Sequence, residues 1–219
     1  MPIAEPMTVL TDYGLAAVAG ALGAILWKRA EHQGSRRLWA ASFLAVAGAA
    51  AAGGTWHGFA PRMDAAAATA LWRLTYGLVG LGNFLILAGA VVAAARVPAR
   101  DWLIGAAALR FTVSFALLVL HPDFRYVVYD YAGTLVGLLV LAAWLARRGR
   151  PGAPAIVAGV AASRAGAAVQ RLGLAPSAAF NHNDLFHVIQ AVGLYLYGLA
   201  GRRLRDRDAV LGDEAPSGP

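Results

Sequence analysis

The side chains best suited to chemistry in this chain fall in one short run, Phe180-Asn181-His182-Asn183-Asp184-Leu185-Phe186-His187, with Gln190 one turn further on. Imidazole changes charge near neutral pH and ligates metals, while amides and carboxylates orient or neutralise what it binds. On a helix, Asn183 and His187 stand four apart and His187 and Gln190 three apart, so the spacing predicts three side chains on one face, aimed at one object. Asn181 also suits an N-cap, with Asp184 at the third helical position beside the positive end of the dipole. A second candidate is His57, in Gly53-Gly54-Thr55-Trp56-His57-Gly58-Phe59, where glycines permit close helix contact and the ring is expected to approach the 181–190 segment. Cysteine is absent, so any metal would need His, carboxylate, amide or water ligands.

The elements that must carry these residues are membrane helices. Of 219 residues, 59% are hydrophobic and 14% charged, a balance outside the usual range of soluble domains. Apolar runs predict an all-α bundle of seven transmembrane helices near 8–27, 37–58, 69–95, 102–120, 125–146, 154–172 and 181–201. They form one domain over 1–201, followed by a polar, flexible cytoplasmic tail at 202–219. Met1 to Leu10 lacks a basic region, which argues against a cleaved signal peptide. Gly133 and Gly137 stand at a spacing that favours close helix packing.

Basic residues set the orientation. Lys28, Arg29, Arg36, Arg37, Arg96, Arg100, Arg147, Arg148, Arg150, Arg202, Arg203, Arg205 and Arg207 fall on one side, against Arg62, Arg125 and Arg171 on the other. The N-terminus is therefore expected outside and the C-terminus in the cytoplasm, in a multi-pass protein of the cell's plasma (inner) membrane. The same flanking positions explain the high isoelectric point, near 10.4, without a nucleic-acid partner. Membrane lipids are the expected surroundings, and the oligomeric state is left open.

In that topology Asp12, His57, Asp64, His121, Asp123, Asp130, His182 and His187 gather at the outer end. Ionisable groups at membrane depth normally face the bundle interior or a water-filled cavity, which makes their convergence a site by default. His121-Pro122-Asp123 reads as a turn and Asp64 as loop charge. Deeper in the membrane, Arg110, Arg164 and Arg73 need pairing or hydration; the expected partners are Asp130, Asn83, backbone carbonyls or an anionic ligand held by Arg73 and Arg110.

The stretch Asn183-Asp184-Leu185-Phe186-His187 resembles the HxxxH segment of the CREST superfamily of seven-helix membrane hydrolases and receptors, and Gly53 to His57 resembles its Ser-xxx-His segment. That resemblance implies a zinc ion held by histidines of helices two and seven, which would make hydroxide available from bound water for hydrolysis of a lipid amide. Gly53 stands where the superfamily has serine, Asn183 where it has its first helix-seven histidine, and Arg73 where helix three has aspartate. The Asn181 to Gln190 run also resembles uncharacterised bacterial seven-helix membrane proteins.

Three functions follow as expectations. One is a metal-dependent hydrolase of a lipid or amide substrate, with His57, His187 and His182 as metal ligands, Asp130 or Asp184 as further ligand or general base, and Asn183 and Gln190 supporting them. The second is a non-catalytic receptor that binds a small ligand or senses pH through His57, His182 and His187. The third is a small-solute or proton-coupled transporter using Arg110, Arg164 and Asp130.

Overall fold

A computed structural model describes residues 3–121, 123 and 125–208. Among these residues seven α-helices follow one another: α1 Pro6–Lys28, α2 Gly34–Phe59, α3 Ala65–Ala94, α4 Ala99–Leu120, α5 Arg125–Arg147, α6 Ala153–Leu172 and α7 His182–Gly201. A single 3₁₀ turn, Ala60–Arg62, follows α2. Local chemistry sets the ends. Pro6 occupies the first turn of α1, where its missing N–H costs nothing. The Asp64 carboxylate caps α3 by accepting from the Ala67 N–H at 2.8 Å, so α3 begins ahead of its apolar run. Gly173 closes α6 at φ 62°, a left-handed conformation that favours glycine.

Each helix packs on its neighbours in a closed ring of α1, α2, α3, α5, α6 and α7, with α4 lying outside against α3 and α5. Leu118 is the one buried residue of α4. The hydrophobic core gathers around Trp39, Phe43, Leu138, Ile156 and Tyr197, toward the end of the bundle where α2 begins and α7 finishes. Trp39 is fully buried, and its indole N–H donates to the Ile86 carbonyl at 2.9 Å, which settles the one polar atom it brings into the core.

The outer surface carries large apolar side chains, among them Leu10, Leu74, Trp102, Leu109, Val136 and Val140. Five segments are long and apolar enough to cross a membrane: α1, α2 with its 3₁₀ turn, α3, α4 and α5. The protein is a membrane protein with an all-helical fold among its described residues. The α6 and α7 helices are 20 residues each, long enough to cross, but are less apolar.

The described part of the segment from Arg202 packs on the start of α2. Leu204 is buried, and the Arg36 Nε–H donates to its carbonyl at 2.7 Å. The Asp206 carboxylate accepts from the backbone N–H of Gly34 at 2.7 Å, the N–H of Ser35 at 2.8 Å and the Ser35 hydroxyl at 2.6 Å. The two N–H groups are first-turn donors that α2 leaves open at the positive end of its dipole, and with the hydroxyl they hold a carboxylate that follows α7. Residues 209–219 of the expected tail lie outside the described residues.

Candidate functional site

At the opposite end of the bundle, α1, α2 and α7 bring their polar residues together. His187 sits on α7 with its side chain 11% exposed, facing α1. Its Nε2 lies 3.3 Å from Oδ1 of Asp12, and its Nδ1 lies 3.1 Å from the Thr11 hydroxyl. Thr11 reaches the Thr8 carbonyl at 3.1 Å and Asp184 Oδ1 at 3.5 Å. The second oxygen of Asp12, Oδ2, is buried without a hydrogen-bond partner among the described residues. Asp12 is accommodated because α2 offers glycine opposite it: a Cβ on Gly54 would stand 2.8 Å from that of Asp12. The α2 glycines therefore make room for α1, where the sequence suggested α7.

His57 has a separate partner. Its Nδ1 lies 3.2 Å from Oε2 of Glu5, the residue before α1. The ring also packs edge-on against Trp56 and Trp72, with centroids 5.3 and 6.0 Å away, and those two indoles stack at 4.3 Å. Two carboxylates from the start of α1 thus meet two histidines, one on α2 and one on α7.

Asn183, His187 and Gln190 do not converge on one object, contrary to their spacing. The Asn183 Oδ1 accepts from Gln170 of α6 at 2.6 Å, and Gln190 Nε2 donates to the Tyr131 hydroxyl of α5 at 3.0 Å. The cause is the position of α7, wedged between α1 and α6, which draws side chains from one stripe to different neighbours. Asp184 is fully buried as the far half of a capping box. It accepts from the Asn181 N–H at 2.7 Å, while Asn181 Oδ1 accepts from the N–H of Asn183 at 2.7 Å and of Asp184 at 3.3 Å. His182 opens α7, half-buried, and takes no part in the contacts around His187.

Asp130 and Arg110 form a separate arrangement deeper in the bundle. Arg110 Nη2 lies 3.4 Å from Asp130 Oδ1 and donates to Thr134 Oγ1 at 2.9 Å, while Nη1 donates to the Asp130 carbonyl at 2.9 Å. Asn83 Nδ2 completes the set by donating to Asp130 Oδ2 at 2.7 Å. These are the internal partners expected for a deep guanidinium, and they engage both members of the pair with protein groups. Arg164 and Arg73 differ. The buried stripe of α6 runs through Gly159, Val160, Ser163, Gly166 and Val169, which leaves Arg164 on the exposed face instead of paired inside. Arg73 is likewise exposed, on α3 beside α4.

The zinc implied by the superfamily resemblance does not fit this arrangement. Among the described residues no group of three or more His, Asp or Glu side chains is placed to hold a metal ion. His57 and His187 face different carboxylates, and Asn183 is engaged with Gln170.

Asp12 belongs to the outer polar cluster expected from the sequence, whereas Glu5, Thr8 and Thr11 join the site only in three dimensions. One signal was available: Thr8, Thr11 and Asp12 stand at i, i+3 and i+4, one polar face on an otherwise apolar helix. Chemically, the Thr11-His187-Asp12 set places a hydroxyl and a carboxylate on the two nitrogens of one imidazole. The protonated ring donates to both, whereas the neutral ring has one N–H to give.

The chain belongs to a family of unknown function, DUF6962, which matches residues 7–206. No curated protein and no solved structure matches it.

Proposed function

We propose that this member of the family is a proton-responsive sensor of the plasma (inner) membrane, crossing it seven times with its N-terminus outside. Two features support α6 and α7 as spans. Their length, about 30 Å at 1.5 Å per residue, suits the hydrocarbon core. Several of their polar side chains turn to neighbouring helices, as in Asn183 with Gln170, Gln190 with Tyr131 and Ser163 with Tyr197, while Arg164 stays on the exposed face of α6. The excess of Lys and Arg at the end where α1 finishes supports the orientation.

The observation that carries the reading is the buried contact of His187 with Asp12, flanked by Thr11 and Asp184, beside the His57–Glu5 pair. A carboxylate and an imidazole in buried contact bind protons as one coupled unit, so a proton taken up by either member changes the contact. Gaining or losing a proton at His187 changes the number of donors it offers to α1, and so biases how α1 seats against α7. Thermal unfolding of the detergent-solubilised protein tests this: the midpoint changes between pH 5 and 8, and His187→Gln flattens the change. A wild-type profile that is itself flat sinks the proposal.

One observation favours a second reading, hydrolysis of a lipid or amide. Asp12 Oδ2, buried beside His187 and without a hydrogen-bond partner among the described residues, is the kind of atom that orients an attacking water. An activity assay discriminates. Release of fatty acid and amine from a lipid amide by the purified protein, lost on Asp12→Asn, would favour the hydrolase, and no turnover would remove it.

A further inference from the structure

Between α3 and α4 the surface opens into a cleft of about 390 Å³, lined by Ala70, Leu74, Gly77, Leu78, Leu81, Phe111 and Phe115, with Arg73 as its one charged residue. Gly77 lets the Phe115 ring of α4 close on α3 at one side of the cleft: a Cβ there would stand 3.1 Å from the ring. Leu74 is 53% exposed and Phe115 41%, so the cleft faces the surroundings of the bundle. Arg73 has no carboxylate partner among the described residues, unlike Arg110, whose guanidinium is engaged on both terminal nitrogens.

We propose that this cleft is a binding site for an anionic phospholipid, with an acyl chain against Leu74, Leu78, Leu81, Phe111 and Phe115 and the phosphate on Arg73. Depth supports the assignment. The 30 residues of α3 extend about 45 Å, which overruns a hydrocarbon core of about 30 Å by roughly 7 Å at each end. Arg73 lies about 12 Å from the start of α3, hence about 5 Å below the core boundary, within reach of lipid phosphates for a side chain that extends toward the interface. From Ala70 to Leu81 the lining runs about 17 Å along α3, enough for most of an acyl chain. An arginine at the headgroup end of an apolar cleft matches the charge order of such a lipid, anion above and hydrocarbon below. The proposal rests on the membrane embedding of α3 and α4 and is independent of the histidine chemistry.

The test is native mass spectrometry of the intact protein with phosphatidylglycerol and, separately, phosphatidylcholine. One retained phosphatidylglycerol, bound roughly fivefold more tightly than phosphatidylcholine, is expected in the wild type, and the preference disappears in Arg73→Gln. Gly77→Leu, which fills the cleft, should weaken both lipids. Leu74→Trp, at an exposed position, repeats the obstruction should Gly77→Leu fail to fold. Equal retention of the two lipids by the wild type, or a preference unchanged in Arg73→Gln, would overturn the assignment of the phosphate to Arg73. Binding unchanged in both obstructing variants would overturn the cleft itself.

Discussion

Nε2 of His187, on the seventh helix, stands 3.3 Å from Oδ1 of Asp12, on the first, and the contact joins the two ends of the helical sequence across 175 residues of chain. Both side chains are almost fully buried, so the contact has little solvent to screen it. Losing one partner leaves the other buried and polar, which costs more than never having had the pair.

The Arg110–Asp130 pair should show that asymmetry too. Arg110→Met alone removes two hydrogen bonds and leaves the Asp130 carboxylate with Asn83 as its remaining side-chain donor; a loss of about 3 kcal/mol is expected. Combining it with Asp130→Leu should recover much of that loss. Unfolding in graded denaturing detergent measures the cycle, and additive losses would contradict the pairing.

The cap of α7 is expected to be structural. Asn181→Ala removes the acceptor for two backbone N–H groups and should cost about 1 kcal/mol, read as a lower thermal midpoint without change in the pH dependence of the protein. A change in pH dependence instead would place Asn181 in the responsive cluster.

Asp206→Ala should loosen both the start of α2 and the segment after α7, because one carboxylate accepts from Gly34, from the Ser35 N–H and from the Ser35 hydroxyl. Hydrogen exchange is expected to speed up at Gly34, Ser35 and residues 204–208 together. Faster exchange confined to one of the two segments would mean that the contact does not couple them.

The turn before α5 offers a pH test at an exposed position. The Arg125 N–H donates to Asp123 and, with the Arg125 side chain, holds its carboxyl below the usual value of 3.8. A depressed folded-state value gives a contribution present above pH 3.8 and lost as the pH falls through the lowered value. Asp123→Asn should remove this acid-side dependence and leave behaviour between pH 5 and 8 unchanged, as followed by thermal midpoints.

Much of the fold was legible because lipid imposes a simple code: apolar length, polar punctuation and basic flanks. Asn181 and Asp184 announced their cap through identity and spacing, and Arg110 announced its need for Asp130 and Asn83 through depth. The site was less legible. Helical spacing places Asn183, His187 and Gln190 on one stripe, but the partner each finds depends on which helices flank α7, a matter of three-dimensional packing. His57 likewise met Glu5 instead of α7. The contacts of the segment after α7 were hidden for a related reason. Its polar composition resembles a solvated segment, yet Asp206 is held by backbone donors that α2 leaves open, a demand that composition does not display.

The central claim is that protonation at His187 and Asp12 alters how α1 seats against α7. The chain has no cysteine, so spin labels can be placed at Leu10→Cys and Val188→Cys, which are 64% and 47% exposed, without removing native thiols. Pulsed electron–electron distance measurements in lipid nanodiscs between pH 5 and 8 should show a shifted distance distribution in this background. The shift should be absent when Asp12→Asn or His187→Gln is added. A distribution that does not change with pH in the otherwise native protein, or that changes equally with either substitution present, would contradict the account.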